Sequence, residues 1–517
     1  MKSTTIHKIF GPPGTGKTRR LLQLMLQEIE TVGDAQRIAC VAITKAASLE
    51  IKGRIARQGD VKVKDLVWCR TMHSACYNLI GMTKAEQWGT VGDWQALRDA
   101  GFLCRGSFSG DEGVPPNDDK TFDASHFAWN MARKMRCPIE DIVTLLPQDN
   151  PKYAPGTVRR FGEAYERVKK ERGKLDYEDM MERFLDGDFP PPPVESLLID
   201  EAQDMTRLAW DVVRKWIKQG GIRRVYLAGD DDQSIYAFMG ADEYGFLDFP
   251  ADEDEVLHYS HRCPRAIGEY AEKILPKIRK RRQKRIEWRD APGQVMHHQS
   301  SWQSLPWTQT AGKDKSYMVL CRHRRQVKQV SKFLTSIGVA HSMNGHNIRT
   351  SKLALAAKAY HDLKAGRETS PRNVAHLLRQ LSRHAEAAEW GKRHSRYKVK
   401  RDQLTGIDYD RPWIPYIAND QGERQELQEL RQLLVNYGIG VIGTEPNLQV
   451  MTYHGSKGRE ADVVVLLTDV YAAVWDSQAR APDPEYRLAY VGLTRARERA
   501  IVVSPGTGQY MIGMGAR

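Results

Sequence analysis

Leu197-Leu198-Ile199-Asp200-Glu201-Ala202-Gln203-Asp204 is the stretch on which the reading of this chain turns. Three apolar residues running into two carboxylates describe a buried strand that delivers acids to its C-terminal end. In an open α/β sheet that end is where ligands bind. One acid suits Mg²⁺, because hard cations take oxygen ligands. Its neighbour can orient or deprotonate a water. On its own such a pair is most often a solvated strand end, so its meaning depends on what the rest of the chain brings to it.

Upstream, the short strand Ile6–Phe10 leads into Gly11-Pro12-Pro13-Gly14-Thr15-Gly16-Lys17-Thr18 and an amphipathic helix over Arg19–Glu30. This is G-x-x-x-x-G-K-[ST] in its strand–loop–helix context, the phosphate cradle of a nucleoside triphosphatase. Glycines let backbone N–H groups approach phosphate, and the helix N-terminus adds positive potential. Lys17 is expected to reach the β- and γ-phosphates, and the Thr18 hydroxyl to ligate Mg²⁺. Two more strands, Ile38–Thr44 and Val67–Thr71, end in polar residues: Thr44 and Lys45 in one, Thr71 and His73 in the other. At strand ends these suit a phosphodiester backbone, although such residues serve more often as helix caps.

Downstream, Arg224–Gly229 is a further strand. It ends in Asp230-Asp231-Asp232-Gln233-Ser234-Ile235-Tyr236-Ala237-Phe238. A triple Asp suggests a metal, but Gln233 followed by two aromatics can instead link a γ-phosphate sensor to base-stacking rings. A second α/β pattern starts near Val256 and includes Tyr259-Ser260-His261-Arg262-Cys263-Pro264. It resumes at Leu448–Thr452 and Asp462–Thr468, around Tyr453-His454-Gly455-Ser456-Lys457-Gly458-Arg459-Glu460. The last helix carries Arg495. Two stretches break the rhythm with polar helical patterns, 82–172, with a loop over Gly106–Asp119, and 365–435. The run Arg279–Arg285 holds six positive charges in seven residues and reads as a solvated helix end or a nucleic-acid contact.

Bulk properties narrow the class. At 517 residues the chain exceeds one ordinary core. No apolar run reaches membrane-span length, and the start leaves no room for a signal peptide, so no membrane partner is expected. Seven scattered cysteines without a C-x-x-C pair point away from structural zinc or an iron–sulfur cluster, and toward a reducing cytoplasm. A net charge of +13 favours a polyanion partner.

These segments, in this order, resemble a superfamily 1 DNA helicase of the UvrD/Rep/PcrA type. Eight blocks carry the likeness: residues 11–18, 42–47, 71–74, 200–204, 229–241, 259–264, 452–460 and 490–496. The resemblance implies an α/β fold of two RecA-like P-loop NTPase domains with parallel sheets, each carrying a mainly helical insertion. The first domain spans 1–81 and 173–250, interrupted by the insertion 82–172. The second spans 251–364 and 436–517, interrupted by the insertion 365–435.

The family roles fall on matching residues. Gly11 to Thr18, with His261 and Glu460, bind ATP; Thr18 and Asp200 hold Mg²⁺. Lys17, Asp200, Glu201, Gln233, Arg262 and Arg495 are catalytic, Glu201 activating water, Gln233 sensing the γ-phosphate and the two arginines acting as fingers from the second domain. Thr44, Lys45, Thr71, His73, Tyr236, Phe238, Thr452 and His454 contact DNA. The implied function is ATP-dependent translocation on single-stranded DNA and unwinding, 3′-to-5′, driven at the interdomain cleft. The implied cofactors are ATP and Mg²⁺. The implied partners are single-stranded DNA, single/double-strand junctions, and replication or repair proteins; the implied location is cytoplasmic, with the nucleoid in a bacterial setting. The alternative is a DNA-stimulated ATPase that displaces proteins or acts as a loading switch with little unwinding.

Several positions depart from the family pattern. Only ten residues precede Gly11, so no Gln-bearing adenine-binding segment is expected there. His261 stands where Tyr is usual, Met239 where Arg is common and Arg459 where Leu is usual. Both insertions are short for the family.

Overall fold

Short apolar runs bounded by glycine, proline and polar residues form strands here, because they are too brief to make stable helices. The computed structural model describes residues 4–59, 61–105, 120–146, 150–307, 315–344, 347–393, 397–410, 421–506 and 508–514. The expected loop over Gly106–Asp119 lies outside the described residues. Fourteen strands are named in chain order: β1 (Thr5–Phe10), β2 (Ile38–Ala42), β3 (Cys69–Thr71), β4 (Ser196–Ile199), β5 (Arg224–Gly229), β6 (Glu253–Val256), β7 (Tyr259–Pro264), β8 (Glu287–Arg289), β9 (Gln294–His298), β10 (Tyr317–Cys321), β11 (Ser342–Met343), β12 (Leu448–Thr452), β13 (Ala461–Leu467) and β14 (Ala496–Val503).

The described residues fall into two compact units. The first, Met1–Met296 with Asp469–Ala500 and Thr507–Arg517, is built on a six-stranded sheet ordered β3-β2-β4-β5-β1-β6, with every neighbouring pair parallel. The register aligns Ala42 with Thr71, Val41 with Ile199, Ile199 with Leu227, and Phe10 with Gly229. The C-terminal ends of five strands therefore share one edge. Alternation along the strands buries both faces. Leu197 and Ile199 pack with Trp210, Trp216 and Phe184, while Leu198 packs on the other face with Leu21, Met25 and Ile51. Among the described residues, stretch 82–172 is helical, with its own small aromatic and aliphatic cores around Phe161 and Met131.

The second unit, His297–Thr468 with Ile501–Gly506, is built on a sheet ordered β11-β12-β10-β13, extended by β14 and β9. Its β10 pairs with β12 and β13 in parallel. The helices of the 365–435 stretch share a core with the Lys352–Lys364 helix, around Leu363, Leu378 and Leu430. The α/β class with two parallel sheets is the class expected from the sequence.

The compact units are drawn differently from the expected domains. Residues 251–296, 469–500 and 508–514 cluster with the P-loop sheet. The cause is local: β7 hydrogen-bonds to the P-loop, and the charged side chains of Arg281, Lys284 and Arg495 close on the residues after β5.

Candidate active site

The P-loop follows β1 directly and opens the Lys17–Val32 helix. Gly14 takes φ +76°, a left-handed conformation that glycine adopts without strain, and an added Cβ would lie 2.5 Å from Arg262 Cβ. That close approach comes from β7. His261 N donates to Gly14 O at 2.9 Å, and Ser260 Oγ donates to Pro13 O at 2.7 Å. The first expected finger, Arg262, is thereby placed against the phosphate cradle. Lys17 Nζ donates to Gly11 O at 2.6 Å.

At the end of β4, Thr18 Oγ1 donates to Asp200 Oδ2 at 3.0 Å, so the two expected Mg²⁺ ligands stand side by side. Burial, and then the neighbouring Glu201, push the Asp200 carboxyl up to about 6. A buried acid with surplus negative charge beside a hydroxyl fits a divalent cation. Glu201 itself has φ 54°. A non-glycine residue rarely adopts that left-handed geometry, and such strain clusters at functional positions. It turns the backbone sharply after the strand, and Glu201 N donates to Asp200 Oδ1 at 3.0 Å.

Gln203 follows the acid pair in the short turn Ala202–Asp204. It is 1% exposed, and its amide spans two strand ends. Its Nε2 donates to Glu201 Oε2, while its Oε1 accepts from Asp230 N at 3.0 Å. Its position two residues after the acid pair was the available signal. From Asp230 the chain of bonds continues: Gln233 Nε2 donates to Asp230 Oδ2 at 2.6 Å, and Arg495 Nη2 donates to Gln233 Oε1 at 2.9 Å. Glu201, Gln233 and Arg495, the residues expected to activate water, sense the γ-phosphate and act as a finger, are thus joined in one largely buried network.

The Asp230–Asp232 cluster is closed by cations from the basic run Arg279–Arg285. The Lys284 ammonium reaches all three carboxylates, 2.8 Å from Asp230 Oδ1 and 2.9 Å from Asp232 Oδ2. Arg281 pairs with Asp232 through two bonds of 2.7 and 2.8 Å. Lys280 pairs with Asp248, Arg282 with Asp254 and Arg285 with Glu287. The helix-end reading of this run is therefore corrected: residues 281–286 follow an irregular path, and Lys280, Arg281, Arg282, Lys284 and Arg285 each pair with a carboxylate.

The expected DNA contacts are spread over both units. Thr44 and Thr71 cap helices, their Oγ1 atoms accepting from Ala47 N and Ser74 N, and Lys45 is exposed beside Thr44. The His73 ring meets Tyr177 edge-on at 5.5 Å, and its Nε2 is buried without a hydrogen-bond partner among the described residues. Tyr236 and Phe238 are half-buried, with ring centroids 6.3 Å apart. In the second unit Thr452 and His454 are buried, Thr452 Oγ1 accepting from Gly455 N, and Glu460 is half-buried. His261 is exposed, its ring 4.9 Å from that of Tyr259.

Residues 2–254 match the UvrD/REP helicase N-terminal domain, and residues 447–503 match the UvrD-like helicase C-terminal domain. The ATP-dependent DNA helicase UvrD2 of Mycobacterium bovis is 24% identical over 569 residues, covering 97% of this chain and 77% of that protein. The ATP-dependent DNA helicase PcrA of Staphylococcus aureus is 22% identical over 311 residues, 56% of this chain. The Bacillus subtilis protein YjcD is 27% identical over 306 residues, 54% of this chain. The matched stretches span 40% of PcrA and 37% of YjcD.

Proposed function

The chain belongs to the UvrD/REP helicase family, and on that premise we propose that it hydrolyses ATP to move along single-stranded DNA and separate strands, 3′-to-5′. The observation that carries this reading is the buried network joining Glu201, Gln203, Asp230, Gln233 and Arg495 beside the P-loop. Phosphoryl transfer requires positioning and charge neutralisation around the γ-phosphate. Lys17 and the backbone of Gly11–Thr18 hold the phosphates. Thr18 and Asp200 would hold Mg²⁺, which would supply charge neutralisation to the bound phosphates. Glu201, its carboxylate fixed by Gln203, orients the attacking water and takes its proton. Arg262 and Arg495 stabilise charge developing on the transferred group, and Gln233 reports its presence.

Coupling to DNA follows from chain continuity. Gln233 lies three and five residues before Tyr236 and Phe238, so a change at the γ-phosphate reaches two rings able to stack on bases. The two RecA-like lobes, with the boundaries expected from the sequence, belong to this reading, as do the contacts at Thr44, Lys45, Thr71, His73, Thr452 and His454. So do ATP contacts at His261 and Glu460, junction and repair or replication partners, and a cytoplasmic location. Among the described residues no helix is long and apolar enough to cross a membrane.

The test is unwinding of forked, 3′-tailed and 5′-tailed duplexes beside ATP turnover with single-stranded DNA. Strand separation from 3′ tails supports the proposal. Stimulated turnover without separation replaces it with the protein-displacing switch, and turnover indifferent to DNA removes both.

A further inference from the structure

Among the described residues, the Lys284 side chain is 0% exposed, as are those of Asp230 and Asp232. The three consecutive carboxylates lie within 4.8 Å of one another. Such a cluster suggests a cation site, but Lys284 stands within reach of every member and Arg281 takes the outer face of Asp232. Burying so many charges is costly, and an apolar replacement is often as stable. Packing alone therefore gives no reason for a lysine here.

The bonds beyond the cluster supply one. Lys284 Nζ donates to one oxygen of Asp230, Oδ1, and the other, Oδ2, accepts from the Gln233 amide nitrogen. The amide oxygen accepts from Arg495. An amide can sit in two orientations, and only its NH₂ can donate to a carboxylate. With an ionised Asp230 on one side and a guanidinium on the other, only one orientation is satisfied. Burial by itself raises the Asp230 carboxyl, and Lys284 followed by Lys17 reverses that, leaving it below its ordinary value.

We propose that Lys284 is a positioning residue of the nucleotide site: it holds Asp230 against the Gln233 amide, so that Gln233 presents its oxygen to Arg495. The inference rests on Gln233 acting as the γ-phosphate sensor. Lys284 acts through Asp230.

The experiment is a double-mutant cycle on the full chain, reading ATP turnover with single-stranded DNA. Lys284→Met is expected to lower kcat about a hundredfold, the scale of a misplaced catalytic group, with KM for ATP little changed. In a Gln233→Ala background the same substitution should cost no more than about twofold, because coupled residues do not add. Equal losses in both backgrounds, or a change confined to KM, overturn the inference. If Lys284→Met melts without a folding transition, Lys284→Arg, which keeps the charge but changes the reach, is taken through the same cycle with the same criteria. If Gln233→Ala alone turns over like the wild type, the sensor reading fails and the inference falls with it. A large Gln233 effect without coupling removes the inference alone.

Discussion

Two neighbouring strands of the first sheet end in acids, and the protein treats them in opposite ways. At the end of β4, Asp200 and Glu201 are adjacent and buried or half-buried, and the Asp200 carboxyl is pushed up to about 6. At the end of β5, three Asp are met by Lys284 and Arg281, and Asp230 is held below its ordinary value despite burial. The first acids are left with negative charge for a ligand to neutralise; the second are neutralised from within and serve as a scaffold. Similar residues at equivalent places in a fold thus divide by where their counter-charge comes from.

The comparison breaks hardest at Arg495, which bonds to Gln233 above the scaffold acids yet is assigned to the chemistry beside the others. Arg495→Ala should lower kcat for ATP by about 10³–10⁵, the worth of an arginine finger, while nucleotide binding persists. A loss of a few-fold, measured by steady-state turnover, would make Arg495 a structural partner of Gln233 only.

Thermal melting of the ligand-free chain sharpens the contrast with smaller effects of opposite sign. Asp232→Asn removes a partner of Lys284 and Arg281, and breaking a buried pair costs about 3–5 kcal/mol, so Tm should fall by several degrees. Asp200→Asn removes a charge that burial and Glu201 disfavour. A raised carboxyl destabilises the fold increasingly as pH rises from its ordinary range through about 6. Above that pH, Asp200→Asn should therefore hold or slightly raise Tm. Parallel decreases in both variants would erase the distinction.

Most of the candidate site was legible because its motifs are short and local. Gly11–Thr18, the acids after β4 and Gln233 after β5 each carry their chemistry within a few residues of a strand end. What stayed hidden depends on distance along the chain. The counter-charge of Asp230 is Lys284, 54 residues away, within a run whose composition resembles a solvated surface. The fixing of Glu201 by Gln203 and its left-handed backbone are likewise tertiary facts, and so is the burial of Thr452 and His454. The helical character of the described part of 82–172 was readable from periodicity, whereas the packing of the Lys352–Lys364 helix with the second helical stretch was not.

The central claim is that the β4 acids perform hydrolysis while the β5 acids hold the machinery in place. Its most direct test is Glu201→Gln, assayed for ATP turnover with single-stranded DNA and for nucleotide binding on the same sample. The account predicts binding close to wild type and turnover lower by about 10²–10⁴, the contribution of a general base. Turnover near the wild-type rate would contradict it.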